Sequence, residues 1–323
     1  MSKAIRIHQP GGPEVMKWED VPTPEPGPNE ALIRQEAVGL NYIDVYFRTG
    51  LYKAPNLPLV IGQEGAGTVL ATGNNVTNVT TGDRVAYAGA IGGYATERVI
   101  NADRLVKLPD GIDFQTAAAM MLQGMTAQYL VRRTYTVKPG DTIVAHAAAG
   151  GVGLILCQWA KHLGATVIGV VSTPEKAELA KSHGAAHAVV GYDNLVAEVK
   201  RITGGAMVPV VYDSIGKDTF NVSLDCLAPL GLMASYGNAS GPVPPMDIGI
   251  LAAKGSLYLT RPSLATYTAK RADLEKTAAD LFDVVLQGAV KIAVNQTFPL
   301  KDAAAAHIAL ESRKTTGSTV LLP

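Results

Sequence analysis

The stretch TIVAHAAAGGVG, residues 142–153, decides the fold. Its first part, residues 142–147, is an apolar run of strand length, and a turn rich in alanine and glycine follows. Residues 153–163 then carry apolar side chains at helical spacing. A strand, a glycine turn and a helix in this order are the context in which a dinucleotide fingerprint works. The stretch therefore predicts a nucleotide-binding βα unit.

The glycine turn fits the pattern G-x-G-x-x-G at Ala148, Gly150 and Gly153. Alanine replaces the first glycine, so the turn has to accommodate one small Cβ atom. Gly150 and Gly151 lack side chains, so their backbone can approach a pyrophosphate closely, and Val152 follows them into the helix. The helix N-terminus adds free N–H groups and the positive end of its dipole. We expect Gly150, Gly151 and Val152 to bind a dinucleotide, the alternative being a glycine-rich packing turn.

Outward from this turn, buried strands alternate with short helices over about residues 126–261. Strands that are apolar on both faces and joined by helices indicate a parallel sheet covered on both sides. We therefore expect a doubly wound α/β domain of the Rossmann type. The later predicted strands are residues 166–171, 188–190, 209–212, 232–235 and 256–259, and the helices between them include residues 174–183 and 195–202.

The chain has a different pattern before residue 124, where short strands are separated by turn residues. This part predicts an all-β, barrel-like domain, because its prolines exclude helix in one loop and its apolar runs are short. A long amphipathic helix, a shorter helix and a last strand are expected to return to it after residue 267. The predicted elements are strands at residues 31–38, 65–69 and 84–86, helices at residues 272–287 and 302–313, and a strand at residues 319–322. We expect two domains, residues 1–124 with 268–323 and residues 125–267.

Composition argues against several classes of protein. Lys plus Arg and Asp plus Glu number 28 each, so no net positive charge favours nucleic acid or an anionic membrane. Cys157 and Cys226 form no metal or redox pattern and are expected to be reduced and packed. No apolar run is long enough to cross a bilayer, and the N-terminus has no signal-peptide pattern. These features predict a cytoplasmic protein without a membrane anchor.

The identity of the nucleotide depends on the end of the next strand, where NAD enzymes usually place Asp or Glu. The residues there are Ser172 and Thr173, followed by Pro174, Glu175 and Lys176. Thr173 can cap the next helix, and Pro174 suits its first position. Lys176 then lies in the first turn, where a cation opposes the helix dipole, which suggests an anionic partner. Lys176, with Ser172 and Thr173, favours the 2′-phosphate of NADPH; a solvated lysine, or Glu175 turned toward the ribose, is the alternative.

Taken together, these features resemble the medium-chain dehydrogenase/reductase superfamily, and within it the zinc-free NADPH:quinone oxidoreductases related to zeta-crystallin. The resemblance covers the whole chain. It implies a GroES-like β-barrel-type catalytic domain, a Rossmann cofactor domain, and hydride transfer from NADPH to a small quinone in the cleft between them. The stretches that carry it are GGPEV at residues 11–15, GLNYID at 39–44, RTGLY at 48–52, AAAGGVGL at 147–154, VYDSIG at 211–216, GNASG at 237–241 and GSLYLTRP at 255–262.

The zinc enzymes of the superfamily carry a catalytic cysteine near position 39 and the sequence Gly-His-Glu. This chain has Gly39 and the sequence Gly62-Gln63-Glu64, and it lacks a four-cysteine lobe. An alcohol dehydrogenase uses the metal to polarise the substrate oxygen. The resemblance therefore implies an enzyme without a metal.

Further cofactor contacts are implied by the resemblance alone. Each has a second interpretation: a half-buried aromatic side chain for Tyr192, a turn-stabilising side chain for Asn41, and a surface or dimer contact for Arg261. The implied contacts are Tyr192 with Lys176 at the 2′-phosphate, Asn41 and Thr126 near the nicotinamide, Gly237, Asn238 and Ser240 along the cofactor, and Arg261 and Arg313.

The reaction requires few catalytic side chains, because NADPH supplies the hydride and water can protonate a hydroquinone anion. If a dedicated proton donor exists, Tyr46 or Tyr52 is the best candidate, with Asn41 completing the catalytic set. Both tyrosines could equally form an aromatic wall for the substrate ring. Asp44 and His146 are interpreted as structural.

Three functions remain open at this point. A quinone reductase is the main hypothesis, an NADPH-dependent enone or 2-alkenal reductase is close to it in chemistry, and an NADPH-binding structural or RNA-binding protein is the third. Residues 255–260 read as an apolar edge strand, and in related enzymes this edge joins two subunits. The resemblance therefore also implies a homodimer through the Rossmann sheet edge.

Overall fold

Two separate sets of strands organise residues 1–323, all of which the computed structural model describes. Unit 1 consists of Met1–Gln123, Thr268–Phe282 and Ile292–Pro323, and unit 2 consists of Gly124–Tyr267 and Asp283–Lys291. No helix in the chain combines the length and the hydropathy needed to cross a bilayer.

The strands and helices are numbered in chain order. The strands are β1 (Ser2–Ile7), β2 (Met16–Val21), β3 (Glu30–Leu40), β4 (Leu59–Val60), β5 (Glu64–Thr72), β6 (Arg84–Ala88), β7 (Glu97–Asn101), β8 (Val106–Lys107), β9 (Thr142–His146), β10 (Thr166–Val171), β11 (His187–Val190), β12 (Val208–Asp213), β13 (Leu227–Ser235), β14 (Tyr258–Thr260), β15 (Val294–Pro299) and β16 (Ser318–Leu322). The α-helices are α1 (Tyr42–Thr49), α2 (Phe114–Ala118), α3 (Met121–Tyr129), α4 (Gly151–His162), α5 (Pro174–Ser182), α6 (Leu195–Ile202), α7 (Phe220–Asp225), α8 (Gly249–Ala253), α9 (Leu264–Tyr267), α10 (Arg271–Leu286) and α11 (Ala303–Glu311).

Unit 2 is built on one six-stranded sheet with the order β11-β10-β9-β12-β13-β14. Every neighbouring pair is parallel. Counted from β9, the order is 3-2-1-4-5-6, which is that of the Rossmann fold. This confirms the predicted doubly wound sheet. The strand order reverses between β9 and β12, and in such sheets ligands bind outside the carboxyl ends of the strands at this switch point.

The core of this sheet explains why its strands are apolar on both faces. Val144 on β9 and Ile168 on β10 are fully buried, and they share one hydrophobic cluster with Leu195 and Val199 of α6. Leu195 and Val199 are four residues apart, so they lie on the same face of the helix. Burial of that face against the sheet stabilises α6, which as an isolated helix of 8 residues would be only marginally stable.

Unit 1 contains two sheets. Three strands pair in the order β2-β1-β4, and seven strands form a larger sheet in the order β15-β16-β3-β5-β6-β8, with β7 also paired to β3. All pairs are antiparallel except β15 with β16. The long strand β3 shifts register twice against β5, and such bulges let one strand bend and serve several neighbours. This is the predicted barrel-type arrangement.

The all-β prediction for the first part of the chain is wrong at α1 and at α2, and α3 also begins before residue 124. The segment after β3 forms α1, because the Asp44 carboxylate accepts the backbone N–H of Asn41 (2.9 Å) at its start and Gly50 adopts a left-handed conformation (φ 82°) at its end. A residue with this conformation after a helix is the usual stop signal. The last strand of the Rossmann sheet is also shorter than predicted, because Ser256 has a positive φ of 58° before β14 begins.

Candidate functional site

The glycine turn lies between β9 and α4. Gly150 precedes the helix in an extended conformation (φ −83°, ψ 175°) and offers no side chain to cap it. The Gly150 N–H is bonded to the Ala147 carbonyl (2.9 Å), whereas the N–H groups of the first helical turn have no acceptor within the helix. A Cβ on Gly153 would overlap the Ala147 carbonyl, so only glycine allows α4 to pass this close to the turn. The turn therefore presents open N–H donors of the kind that bind phosphate.

The alanine at the first fingerprint position is matched by a glycine on the neighbouring strand. Ala148 is fully buried, and its N–H donates to the Val170 carbonyl (3.1 Å). A Cβ built on Gly169 of β10 would lie only 2.8 Å from the Cβ of Ala148. The space that Ala148 needs is thus provided by Gly169.

The residues predicted to determine which nucleotide binds lie at the end of the next strand, β10. Thr173 caps α5 as predicted, since its hydroxyl accepts the N–H of Lys176 (3.3 Å). Glu175 is exposed, and a hydrogen bond from the Thr173 hydroxyl lowers the pKa of its carboxyl group. Glu175 is therefore oriented to the helix cap, and no carboxylate occupies the end of β10 itself. Lys176 lies half-buried in the first turn of α5.

Tyr192 follows β11 after Gly191, which has a positive φ of 78°. Its ring centroid is 5.9 Å from that of His146, at the end of β9. Tyr192 is half-buried and packs against the core of the sheet. The aromatic ring therefore lies near the same carboxyl ends as the glycine turn and α5.

His146 belongs to a buried hydrogen-bonded group. Its Nε2 atom is 2.9 Å from the Ser223 hydroxyl, which donates to Asp213 (2.7 Å). Since that hydroxyl has one proton, Nε2 of His146 is the donor in the first contact. Burial lowers the pKa of His146, and the nearby Asp213 acts in the opposite direction.

Two loops follow β12 and β13 and are tied together. Asp213 anchors the first loop by accepting the N–H groups of Ile215 (2.8 Å) and Gly216 (3.1 Å). Ser240 in the second loop donates its hydroxyl to the Ile215 carbonyl (2.9 Å). A Cβ on Gly237 would overlap the backbone of the first loop, so this position requires close backbone approach.

Arg261 lies directly after β14. Its Nη1 donates to the Ser235 carbonyl at the end of β13 (2.9 Å). With its amide nitrogen toward the Gly237 carbonyl (2.9 Å), Asn238 accepts from Arg261 Nη2 (3.2 Å). Arg261 is thereby held at the sheet edge beside Asn238.

The structure thus collects most of the sequence-predicted cofactor residues at the carboxyl edge of one sheet. Thr126 is in the same unit but on α3, buried, with its hydroxyl bonded to Tyr129. The residues at the carboxyl edge are Gly150, Gly151, Val152, Ser172, Thr173, Lys176, Tyr192, Gly237, Asn238, Ser240 and Arg261.

The other predicted residues belong to unit 1. Tyr46 lies on α1 and Tyr52 in the turn after it, joined by a bond from the Tyr52 N–H to the Tyr46 carbonyl (3.0 Å). Their rings meet edge to face with centroids 5.2 Å apart, and Phe47 packs on Tyr52 in the same way. Tyr46 is buried and Tyr52 half-buried. Arg313 is exposed after α11 with a positive φ of 58°.

Asn41 lies in a buried polar cluster that the sequence did not predict. Its amide Nδ2 is 2.6 Å from Oε2 of Glu64, and its Oδ1 is 3.1 Å from Nε2 of Gln123. Glu64 is fully buried, and burial raises the pKa of its carboxyl group to about 8, although the bonds from Asn41 and Leu122 oppose this. The signal in the sequence was a lone carboxylate among glycines in an apolar strand.

The same cluster explains why residue 39 is glycine. A Cβ on Gly39 would overlap both the Glu64 carboxylate and the Ala118 carbonyl. A cysteine therefore does not fit here with Glu64 in its present position. No three His, Cys, Asp or Glu side chains lie together so that they could hold a metal ion.

Comparison with known proteins identifies the family. The family model "Alcohol dehydrogenase GroES-like domain" matches residues 27–110, and "Zinc-binding dehydrogenase" matches residues 151–294. A quinone oxidoreductase of Pseudomonas aeruginosa is 53% identical, and the alignment covers 100% of both chains. The chain belongs to the medium-chain dehydrogenase/reductase family. This confirms the resemblance found in the sequence.

Two other family members bear on the chemistry. The crystal structure of Escherichia coli quinone oxidoreductase complexed with NADPH matches with a TM-score of 0.97 at 47% identity, covering 100% of both chains. A 2-haloacrylate reductase from Burkholderia sp is 46% identical, with 100% of this chain and 99% of the relative covered. The structural match confirms the predicted pairing of a GroES-like domain with a Rossmann domain.

Proposed function

We propose that this chain is an NADPH-dependent quinone oxidoreductase, an enzyme that passes hydride to a small quinone. The observation that carries the proposal is the full-length identity to quinone oxidoreductases, up to 53%. A carboxyl sheet edge with open N–H donors and a cation at α5 supports it independently.

The residues at this edge fit the cofactor. Gly150 and Gly153 leave a cradle that side chains would fill, and the first turn of α4 offers unbonded N–H groups to a pyrophosphate. Lys176 supplies a positive charge where the strand end lacks a carboxylate, which suits a 2′-phosphate better than a free 2′-hydroxyl. Tyr192 would lie beside it, and the Gly237–Ser240 loop would contact the remainder.

Bound NADPH supplies the hydride, so the chain has to orient the acceptor and stabilise negative charge on its oxygen. Asn41 offers an amide, and Tyr46 and Tyr52 offer phenol groups and aromatic surface. Reduction of the quinone leaves a hydroquinone anion, and either a phenol O–H or water can protonate it. No step requires a Lewis acid.

Reduction of an activated double bond is a second candidate. The observation that favours it is the 46% identity to a 2-haloacrylate reductase. A quinone is itself a conjugated enone, so both reactions use the same hydride donor and the same oxygen stabilisation. The ratio of kcat/KM for benzoquinones to that for 2-alkenals and 2-haloacrylates separates the two.

We also propose a cytoplasmic homodimer. Tyr258 is 61% exposed and Leu259 37% exposed on the edge strand β14, and an exposed apolar edge favours pairing. The free, buried thiols of Cys157 and Cys226 suit a reducing compartment. Sedimentation as a monomer at micromolar concentration would contradict the dimer.

Steady-state reduction of 1,4-benzoquinone tests the proposal. We expect turnover with NADPH and weak turnover with NADH. Tight NADPH binding without turnover of any quinone or alkenal would refute both enzymatic candidates and favour a structural or RNA-binding role.

A further inference from the structure

Four buried side chains of unit 1 form one hydrogen-bonded chain around Asn41. Ser318 of β16 is 2.6 Å from Oε1 of Gln123 on α3, and Gln123 Nε2 is 3.1 Å from Asn41 Oδ1. Asn41 Nδ2 is 2.6 Å from Glu64 Oε2 on β5. All four side chains are at most 7% exposed, so each polar atom has to find its partner within the protein. We name this chain the amide relay.

The ionised carboxyl group of Glu64, held by the backbone, fixes the direction of the amide relay. The Leu122 N–H donates to Glu64 Oε1 (2.7 Å), and an N–H group can only donate. An ionised Glu64 carboxylate accepts at Oε2 as well, which turns the amide nitrogen of Asn41 toward it. The Asn41 oxygen then accepts from Gln123, whose own oxygen accepts from the hydroxyl of Ser318. One N–H of Asn41 remains uncommitted by the relay, because its amide nitrogen carries two protons.

We propose that Glu64 is a positioning residue that sets the polarity of the Asn41 amide, so that Asn41 presents an N–H donor to the oxygen of the carbonyl substrate. This inference rests on the proposed function and specifies how the oxygen is stabilised. An N–H aimed at an oxygen that gains negative charge lowers the barrier more than it tightens substrate binding. The reversed amide would aim a carbonyl oxygen at the same place and repel that charge.

Glu64→Gln is predicted to reverse the whole amide relay without breaking it. The side-chain carbonyl of the introduced glutamine must face the Leu122 N–H, so its NH2 group faces Asn41. Asn41 turns its oxygen to this NH2, and Gln123 turns its oxygen to Asn41. Ser318 can accept from the reversed Gln123 while donating to the Ala119 carbonyl, from which its hydroxyl is 2.9 Å. Every relay partner stays paired, but the polarity of Asn41 is inverted.

A double exchange, Glu64→Gln with Gln123→Glu, gives the same inversion by another route. The amide introduced on β5 donates to the Asn41 oxygen, and the Asn41 nitrogen donates to the carboxylate introduced on α3, which also accepts from Ser318. The exchange keeps the number of carboxylates and matches every donor with an acceptor. Gln35→Met is the matched control, because Gln35 is another buried amide of unit 1, bonded to Tyr87 (2.7 Å) and to the Gly93 carbonyl (2.7 Å) outside the relay.

Protonation of Glu64 provides a second readout. A protonated carboxyl would donate toward Asn41 and reverse the relay, so kcat should rise with pH as Glu64 ionises. Few charged groups face Glu64. Asp44 on α1 raises the pKa of Glu64, and the charge of Glu64 in turn raises the pKa of Tyr94. Helix α3 contributes the backbone N–H groups of Met121 and Leu122. The alkaline rise in kcat should be absent from Glu64→Gln.

The experiment measures kcat, KM and thermal stability of the wild type and these variants with NADPH and 1,4-benzoquinone at about pH 9, above the pKa of Glu64, so that the wild-type carboxyl group is ionised. A separate binding titration uses 4-nitrophenolate, an analogue of the hydroquinone anion, with NADP⁺ present. We expect Glu64→Gln and the double exchange to fold and to hold NADPH within about twofold of wild type, because no cofactor contact of unit 2 is changed. Both should lose about tenfold or more in kcat and in phenolate affinity, the effect of one hydrogen bond to a charged oxygen. Gln35→Met should lose stability but keep its kcat.

Wild-type kcat and phenolate affinity in Glu64→Gln, or in the double exchange, would overturn the inference, since inversion would then be harmless. If Glu64→Gln fails to fold, the double exchange decides alone. A wild type that reduces no quinone would instead refute the proposed function, and the phenolate titration would still compare the two polarities of Asn41.

Discussion

The buried carboxyl group of Glu64 gives a strong prediction about stability and pH. Its pKa is raised from 4.5 to about 8, chiefly by burial. A group whose pKa is raised by folding contributes stability below its unfolded pKa and loses that contribution as pH rises through its folded pKa. The free energy of unfolding should therefore fall between pH 4.5 and pH 8 and level off above that range.

The size of the effect follows from the same pKa. At about 1.4 kcal/mol for each pKa unit, raising the pKa from 4.5 to about 8 is worth about 5 kcal/mol, an upper figure because Asp44 titrates beside it. Burial also raises the pKa of Asp44, to about 7, which adds to the fall. His307 acts in the opposite direction: burial lowers its pKa to about 3, so its contribution is lost only toward acid. Glu64→Gln removes the titrating carboxyl group and isolates its share.

Urea unfolding from about pH 5 to about pH 9, a range that spans the folded pKa, measures this directly. The chain has two tryptophans, Trp18 in unit 1 and Trp159 in unit 2, so a Trp159→Phe background makes fluorescence report on unit 1. We expect Glu64→Gln to match its parent at the acid end of this range and to exceed it by several kcal/mol at the alkaline end. Parallel pH profiles for the two proteins would refute the assignment of a buried, high-pKa carboxyl to Glu64.

Three further predictions concern the proposed active site. Lys176→Ala should weaken NADPH binding about tenfold or more and leave NADH binding nearly unchanged, because one charge-assisted bond to the 2′-phosphate is lost. Lys181→Ala on the same helix is the control. Equal losses of affinity for both nucleotides in Lys176→Ala would count against a 2′-phosphate site. Gly153→Ala should destabilise unit 2 by about 1–3 kcal/mol and raise Kd for NADPH, measured by urea unfolding and fluorescence titration, since its Cβ overlaps the Ala147 carbonyl; an unchanged Kd would show that α4 does not depend on this close approach. Tyr52→Phe should lower kcat for benzoquinone severalfold if the Tyr52 phenol donates a proton, and Tyr46→Phe is measured for comparison. An unchanged kcat in both variants would assign the two tyrosines to an aromatic wall.

The parallel, doubly wound sheet could be predicted from sequence because its strands are apolar on both faces and a glycine-rich turn follows its first strand. Thr173 and Pro174 likewise predicted the start of α5, since helix capping depends on residues that are adjacent in sequence. The need for a small residue at position 148 was also visible, but the glycine that makes room for it, Gly169, lies on another strand. Local sequence patterns predict local geometry, but they do not reveal which residue on a neighbouring strand makes room for a given side chain.

The cluster around Asn41 could not be predicted for the same reason. Glu64, Gln123 and Asn41 are up to 82 residues apart, and only the pairing of β5 with β3 and the position of α3 bring them together. The helix α1 was hidden in a segment interpreted as part of an all-β region, although Asn41 with Asp44 and the later Gly50 carried a capping signal. Motif residues such as Tyr46 were recognised by type, but whether a phenol is buried or half-buried depends on that helix.

The most direct measurement of the central claim is the rate of NADPH oxidation in the presence of 1,4-benzoquinone, with NADH and a 2-alkenal run in parallel. Fast turnover with NADPH and quinone, and slow turnover with the other pairs, is the result that this structure predicts. A protein that binds NADPH tightly but transfers hydride to none of these acceptors would contradict the account.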